Sequence, residues 1–549
     1  MEPSRSTTSG DDANPDQPAG TGTSARAGKW SRRQVLVAGG GSAGALLAGG
    51  LIGGIVGYQW PGRGASPGPG LNGYTARNPG SPVGAGTALS FVSRPDLRPP
   101  RVRVTSLPGA PTAPGYVFLA ARTYISSGNP QSGLMVIDRT GSLVWFRPLD
   151  SAPFDFRPQA YRGTPALTWW QGDVVDGYGQ GTGEIANGSY KRVMRVNAGD
   201  GLKADLHELR LTTSGTALIT AYEETTADLS SVGGPKGGKL LVGHAQEIDL
   251  ATGRVLFDWS SADHVPLGES YQSVPQTGAY DYFHINSIAQ FPNGDLLISA
   301  RNTWVVYRVD RATGRVMWRL NGKKSDFAMG QGAHFYWQHD AEPHAGNSGP
   351  ASVTASAAFT MTVFDDGASP SEENQSRGLV LDIDPANHRA SLRRALLHPA
   401  GFLAANQGNV QLLADGRAFV GWGNQPYFSE FSAQGHLTLD GVMPLGYHSY
   451  RAYTADWKGT PSEPPAIAVR DNPAGGVVVY ASWNGSTATS TWRVLAGEHP
   501  GHLGPVGAEE SAGFETEIAV NSAGPFYQAV AVGASGQVLA RSPAVRSSQ

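Results

Sequence analysis

From residue 284 the chain alternates short apolar runs with turn residues: HINSIAQFPNG, DLLISARNT, WVVYRVDRATG and RVMWRLNG. The runs are rich in β-branched and aromatic residues, and Asn-Gly, polar and Thr-Gly breaks separate them, which predicts a four-stranded antiparallel meander. The cadence recurs in LTTSGTALITAY with HAQEIDLATGRVLFDWS, and in LLADGRAFVGWG with YFSEFSAQGHLTLDG. Weaker copies run from GYVFLAARTY to GLMVIDRTGSLVWFRPL, from PALTWWQG to YKRVMRVNAGDG, and from SVTASAAFTMTVFDDG to GLVLDIDPANHRASLRRAL. About six units of roughly 40 to 60 residues match the period of β-propeller blades. The expected fold is therefore all-β, with a six-bladed propeller over residues 91–461.

A lone meander cannot bury both of its faces, whereas a ring of them can, with the first strand of each unit lining the axis. Alternate residues of that strand then face inward. Counting back ten from the turn glycines Gly215, Gly294 and Gly416 gives Asp205, His284 and Asn406, and counting back eight gives His207, Asn286 and Gly408. Polar residues in equivalent slots predict a polar channel mouth. The plainer reading of each is a side chain that caps a strand or bonds a loop.

The 549 residues include 73 Gly and 38 Pro, as expected of turn-rich β structure, while a formal charge of -3 gives no electrostatic case for nucleic acid. The absence of cysteine excludes disulfides, thiolate metal sites and a cysteine nucleophile. Residues 1–30 are polar and Gly/Pro-rich and are expected to be disordered. Ser31-Arg32-Arg33-Gln34-Val35-Leu36 then opens an uncharged stretch to Gly57 that resembles a Tat export signal, so passage across the membrane in the folded state is expected. No clear cleavage site follows, so 35–57 either is removed or stays as a single membrane anchor with the rest outside. A Gly/Pro-rich linker occupies 58–90. Residues 462–549 carry short strands without the repeat and resemble a fibronectin type III-like sandwich, with Trp483 and Trp492 in its core.

Thirteen segments, SRPDLRPP, LVWFRPL, LTWWQG, DLHELRLT, EIDLATGRVLFDWSSADHV, DYFHINSI, WRLNGKKSDF, WQHDAEP, FDDG, SRGLVLDID, QGNVQLL, GWGNQPYFSEF and SYRAYTADW, follow one another between residues 93 and 461. Together they resemble the arylsulfotransferase-like family of bacteria and fungi. That family is related to the bacterial periplasmic arylsulfate sulfotransferases, six-bladed propellers that move a sulfuryl group from an aryl sulfate to a phenol through a transient sulfohistidine, without a nucleotide donor. The resemblance implies that His284 and His339 are channel histidines and that Arg377 binds the sulfonate. Chemistry agrees: a neutral imidazole is a good nucleophile toward sulfate-ester sulfur, and an arginine fork suits the sulfonate charge. No cofactor is called for, and the small-molecule partners expected are an aryl sulfate and a phenol.

One feature departs from the family. Its nucleophilic histidine belongs in the unit after the arginine, where this chain reads NQGNVQLLADG and offers only the amides of Asn406, Gln407, Asn409 and Gln411. Either His284 or His339 has taken the role, or His448 supplies it from GYHSYRAY, His436 being a turn residue that points outward. Asn286 follows His284 on the same face, whereas Asp340 and Glu342 follow His339 and would raise its pKa. This favours His284 as nucleophile or base, with His339 and Arg377 on the sulfonate. The rival readings are a propeller that only binds a phenolic, glycan or sulfated ligand, and a hydrolase or lyase using His284 and His339 as acid and base.

Further substrate contacts are expected from Asn286, from His207 beside Glu208, from Trp170 and Gln171, with Trp169, as an aromatic wall, and from Asn409 and Gln411. Blade packing is the commoner role for such tryptophans. No metal is assigned: Asp340, Glu342 and His344 after His339 lack a recognised ligand spacing. FDDGASPSEENQSRG reads as a solvated loop that positions Arg377 rather than a calcium loop, and GQGTGEIANG lacks the Gly-Lys-Ser/Thr of a P-loop. If the paired arginines are read by the Tat machinery, Arg32→Lys with Arg33→Lys will leave folded protein in the cytoplasm. Unchanged export of the double variant, followed by fractionation, refutes the signal.

Overall fold

The computed structural model describes residues 88–107, 115–123, 129–344, 356–521 and 524–547. The twin arginines, the 35–57 segment and residues 58–87 of the linker lie outside them. The described chain is all-β, and its strands pair antiparallel almost throughout.

Up to Ala455 the strands join into sheets of four, five and nine strands, built from antiparallel meanders. Five begin with their innermost strand: β1 (Pro153–Tyr161), β2 (Ala204–Leu211), β3 (Ile285–Gln290), β4 (His339–His344) and β5 (Asn409–Leu412). The sixth takes its innermost strand from far along the chain: β6 (Ala452–Ala455) pairs with Tyr116–Thr123, which continues into Gly133–Asp138 and Leu143–Pro148. Contacts link these strands in the series β6, β1, β2, β3, β4, β5.

A local rule shapes the outer hairpins. In DLATGR and DRATGR, Asp249 and Asp310 accept hydrogen bonds from the amides two and three residues on, at 2.8 to 3.0 Å. Gly253 and Gly314 then turn the chain with φ of 73° and 72°, a conformation costly for other residues. Strands between the turns are apolar on both faces, because each sheet is covered on both sides: Leu296–Ala300 and Val305–Val309 are buried at every position.

Asn409 and Gln411 tie β5 to β6. Asn409 donates Nδ2–H to the Ala452 carbonyl and accepts from its amide, both at 2.9 Å, and Gln411 makes the same pair with Thr454, again at 2.9 Å. The two side-chain amides thus imitate a neighbouring strand for β6. Gly421 is required beside them, since a Cβ there would stand 2.4 Å from Asn409 Oδ1 and 2.6 Å from the Ala452 nitrogen. Both residues are spent on the fold, which corrects their assignment as substrate contacts.

Polar residues of these strands, on β2 Glu208 and Arg210 rather than the Asp205 and His207 that the spacing picks out, pair with one another. Arg451, wholly buried, lies 3.1 Å from Asp155 and 3.3 Å from both Glu208 and Asp340, and donates to the Asn286 carbonyl at 3.0 Å. Arg157 pairs with Asp155 at 2.7 Å and also with Glu208, and Arg210 pairs with Glu342.

After β6 come two antiparallel sheets with one core. Ala466–Asp471, Val477–Ser482 and Glu515–Val520 form the first; Thr489–His499, His502–Glu510, Phe526–Gly533 and Val538–Arg541 lie in the second. Trp483 and Trp492 are buried between them with Val479, Ile518 and Tyr527. Asn484 docks this region by bonding the Phe146 amide and carbonyl, each at 2.9 Å.

Removing one partner of a buried charge network strands the others in a low-dielectric interior, at a cost of about 3 to 5 kcal/mol. Arg451→Met should therefore lower the unfolding free energy by about that amount in denaturant titrations. An unchanged midpoint and slope would show that the network contributes nothing.

Candidate active site

Three successive inner strands each deliver a histidine to one place. His207 lies within β2, His284 immediately precedes β3, and His339 opens β4. One ring nitrogen of each lies within 4.8 Å of those of the other two. The ring of His207 is 4.9 Å from that of His284 and 6.4 Å from that of His339. His207 and His339 are buried and His284 is partly exposed.

A separate aspartate holds each imidazole by Nδ1. Asp205 meets His207 at 2.6 Å, Asp281 meets His284 at 2.5 Å and Asp366 meets His339 at 2.8 Å. The first pair follows from strand periodicity, since residues two apart share a face. Asp205 is itself fixed by the Gly179 amide at 2.5 Å and the Thr220 hydroxyl at 2.8 Å. The second pair is a turn: Asp281 also accepts from the His284 amide at 3.1 Å, and His284 takes φ of 55°. Arg301 and Asn302 pin that turn through bonds to the His284 and Phe283 carbonyls. For the third pair, Asn286 donates to the Gln338 carbonyl at 2.6 Å and so sets the start of β4.

With Nδ1–H donated to a carboxylate, the lone pair of each ring is left on Nε2. Consistent with this, the Gln407 amide donates to His339 Nε2 at 3.3 Å. Burial pushes the His339 pKa well below the usual imidazole range, with Arg301, His207, His284 and Arg451 adding to the effect. Burial also lowers that of His207, against the pull of Asp205. Burial thus favours the neutral form of both rings. Tyr222 and Tyr450 stand beside the cluster, their hydroxyls donated to the Ile285 and His207 carbonyls.

Several expectations need correction. Asp340 and Glu342 do not raise the His339 pKa, because they face Arg451 and Arg210 instead. The Arg377 guanidinium is engaged by Asp365 at 2.8 Å, Glu373 at 2.6 Å and the His334 carbonyl at 3.0 Å, and bonds none of the three histidines. Arg301 is the guanidinium whose charge acts on His339, Asp281 and Asp366. Asp365 and Asp366 of FDDG are buried rather than solvated. Trp170 is a core residue bonded to the Ala204 carbonyl at 2.8 Å, and Trp169 and Gln171 line a groove with Arg147, Tyr190 and Trp483 beside the carboxy-terminal sheets. His448 lies opposite Arg122 in a strand pair and is not one of the three clustered histidines. His344 bonds the Thr362 hydroxyl at 2.8 Å, so the run after His339 is not a ligand set. Sequence reasoning also missed the roles of Asp281, Asp366 and Arg301. The D-x-x-H spacing of Asp281 and His284 was available as a signal, whereas nothing local marks Arg301.

The chain belongs to the arylsulfotransferase (ASST) family, whose sequence profile matches residues 157–443. No curated protein matches it. Among solved structures it is similar to a protein of unknown function from Bacteroides caccae, at 11% identity over 62% of this chain and 99% of that one, TM-score 0.35. It is also similar to a protein from Lactobacillus plantarum, at 14% identity over 74% and 99%, TM-score 0.33. Virginiamycin B lyase from Staphylococcus aureus shows 9% identity over 70% and 92%, TM-score 0.28.

Burial and the charge of Arg210 depress the His344 pKa to about 4, from an ordinary value of 6.5. A histidine depressed in the folded state contributes its full stability above the unfolded value and loses it as pH falls toward the folded one. Between pH 6.5 and 4, His344→Gln should therefore show a shallower loss of stability than the parent, by up to about 1.4 kcal/mol per pH unit. Parallel pH profiles of the two proteins would refute the neutral assignment.

Proposed function

We propose that the chain is an exported, nucleotide-independent aryl sulfotransferase, built as a six-bladed β-propeller followed by a fibronectin type III-like sandwich. The meanders and the series of contacts between their inner strands support the propeller. Sheet orders that take the carboxy-terminal strands as first-second-fifth and fourth-third-sixth-seventh support the sandwich. Export, with 35–57 as a signal or tether, rests on the sequence alone.

The observation that carries the activity is the convergence of His207, His284 and His339, each oriented by its own aspartate, in a member of this family. His284, the exposed member, is the nucleophile in this reading. Its Nε2 attacks sulfur, the N–S bond forms, and the S–O bond to the aryl group breaks with its electron pair leaving on the phenolate. Asp281, at 2.5 Å from Nδ1, balances the imidazolium so formed. An acceptor phenol then attacks sulfur, the N–S electron pair returns to Nε2, and the acceptor's proton ends on the released phenol. Arg301 supplies the positive charge for the sulfonate, the role expected of Arg377.

Incubation of the purified protein with 4-nitrophenyl sulfate, with and without phenol, tests this. Acceptor-dependent release is expected; acceptor-independent release means a hydrolase, and no release means a binding protein. His284→Ala should lower transfer by at least about a thousandfold, as loss of a nucleophile does. Arg301→Ala should lower it by about a hundredfold. Turnover that survives His284→Ala and is lost in His448→Ala would move the nucleophile elsewhere.

A further inference from the structure

We propose that His207, His284 and His339 bind one divalent transition-metal cation of the zinc class through their Nε2 atoms. Three histidines packed in a core need only hydrogen-bond partners, and the Nδ1 atoms already have them. What a core does not require is that all three face one another. Among the described residues no hydrogen bond reaches Nε2 of His207 or of His284, that of His339 accepts only the 3.3 Å bond from the Gln407 amide, which a metal would displace, and one ring nitrogen of each residue lies within 4.8 Å of those of the other two. Ligand nitrogens at about 2.0 to 2.1 Å from a tetrahedral zinc are a little over 3 Å apart, so small ring movements close the set.

The surroundings fit a metal in three further ways. Metal-bound histidines typically donate the second ring nitrogen to a carboxylate, which fixes the tautomer and strengthens the ligand, and here all three do so. An aspartate stands directly behind each ring and would offset the charge of a dication, against the guanidiniums of Arg301 and Arg451, both of which act on His339. Imidazole donors suit zinc, copper, nickel and iron(II), and no oxygen ligand is in the set, which disfavours calcium and magnesium. Three protein ligands leave the fourth tetrahedral position open, as in catalytic rather than structural zinc sites.

The site goes beyond the sulfuryl-transfer reading and constrains it. A ring nitrogen has one lone pair, so His284 cannot bind metal and attack sulfur in the same moment.

Untagged full-length protein, stripped with a chelator and dialysed, is titrated with Zn²⁺ by calorimetry, and its metal content is then measured by mass spectrometry. One Zn²⁺ per chain is expected. His284→Gln and His207→Gln should weaken binding at least tenfold, and Asp281→Asn by roughly 10- to 100-fold. His436→Ala, on an exposed turn, should leave it unchanged. Co²⁺ added to the parent protein should give the intense visible bands of tetrahedral coordination, a readout independent of how well any variant folds. Stoichiometry near zero, a weak octahedral cobalt spectrum, or affinity unchanged in His284→Gln overturns the site. The aryl sulfate assay separates the two proposals. Transfer that Zn²⁺ suppresses supports both. Transfer that requires Zn²⁺ supports the metal site and removes free-imidazole attack; bound metal with no transfer in either state supports the site and removes the sulfotransferase reading alone.

Discussion

The fold turns on the buried guanidinium of Arg451. It comes from the flank of β6, yet its nitrogens face Asp155 of β1, Glu208 of β2, the carbonyl of Asn286 in β3 and Asp340 of β4. A flat fork with five donors can address several neighbours at once, which a lysine ammonium cannot do with fixed directions. Paired charges in an interior seldom add much net stability over apolar packing, but they penalise every arrangement that leaves one of them alone. The axis is thus a device for alignment: units brought together out of register would leave a carboxylate or a guanidinium without its counterpart.

That alignment positions the histidine cluster, because His207 is the residue before Glu208 on β2, and His339 the residue before Asp340 on β4. Adjacent side chains on a strand take opposite sides, so one partner enters the charge network while the other enters the cluster. The backbone is bent to achieve this. His284, Trp337, Asp340 and Gln407 all have φ between 54° and 72°, an uncommon conformation for residues with a Cβ. Each such residue costs roughly 1 kcal/mol or more and persists only when its surroundings dictate it. Such a concentration around three imidazoles marks a place where geometry outweighs local comfort.

Much of this was legible in the sequence. The all-β antiparallel meanders follow from apolar runs and from Asp-x-Ala-Thr-Gly turns that satisfy their own backbone amides, and both signals are local. His284 and His339 were singled out by the polar openings of their strands, and the shared face of Asp205 and His207 by strand periodicity. The errors arose where sequence neighbours are not spatial neighbours. Asp340 adjoins His339 in the chain but turns to Arg451, while the carboxylate that touches His339 belongs to Asp366, 27 residues on. Asn409 and Gln411 looked like ligand-binding amides because a side-chain amide that copies a peptide group is, in sequence, the same residue as one that binds a substrate. A three-ligand cluster with one member per unit has no spacing to recognise at all.

The pairing of β6 with Tyr116–Leu119 also imposes an order on synthesis. The amide of Ala120 donates to the Ser449 hydroxyl, 329 residues further along, and Tyr116–Leu119 pairs with Ala452–Ala455. As the nascent chain leaves the ribosome, the first sheet therefore emerges with its inner edge open and keeps it open until almost the last unit has been made. An unpaired apolar edge of this kind is a site for wrong partners. The segment that must stay unsatisfied longest is thus also the first to appear, and chaperone demand should concentrate on the amino-terminal sheet rather than on the histidine-bearing units that follow it.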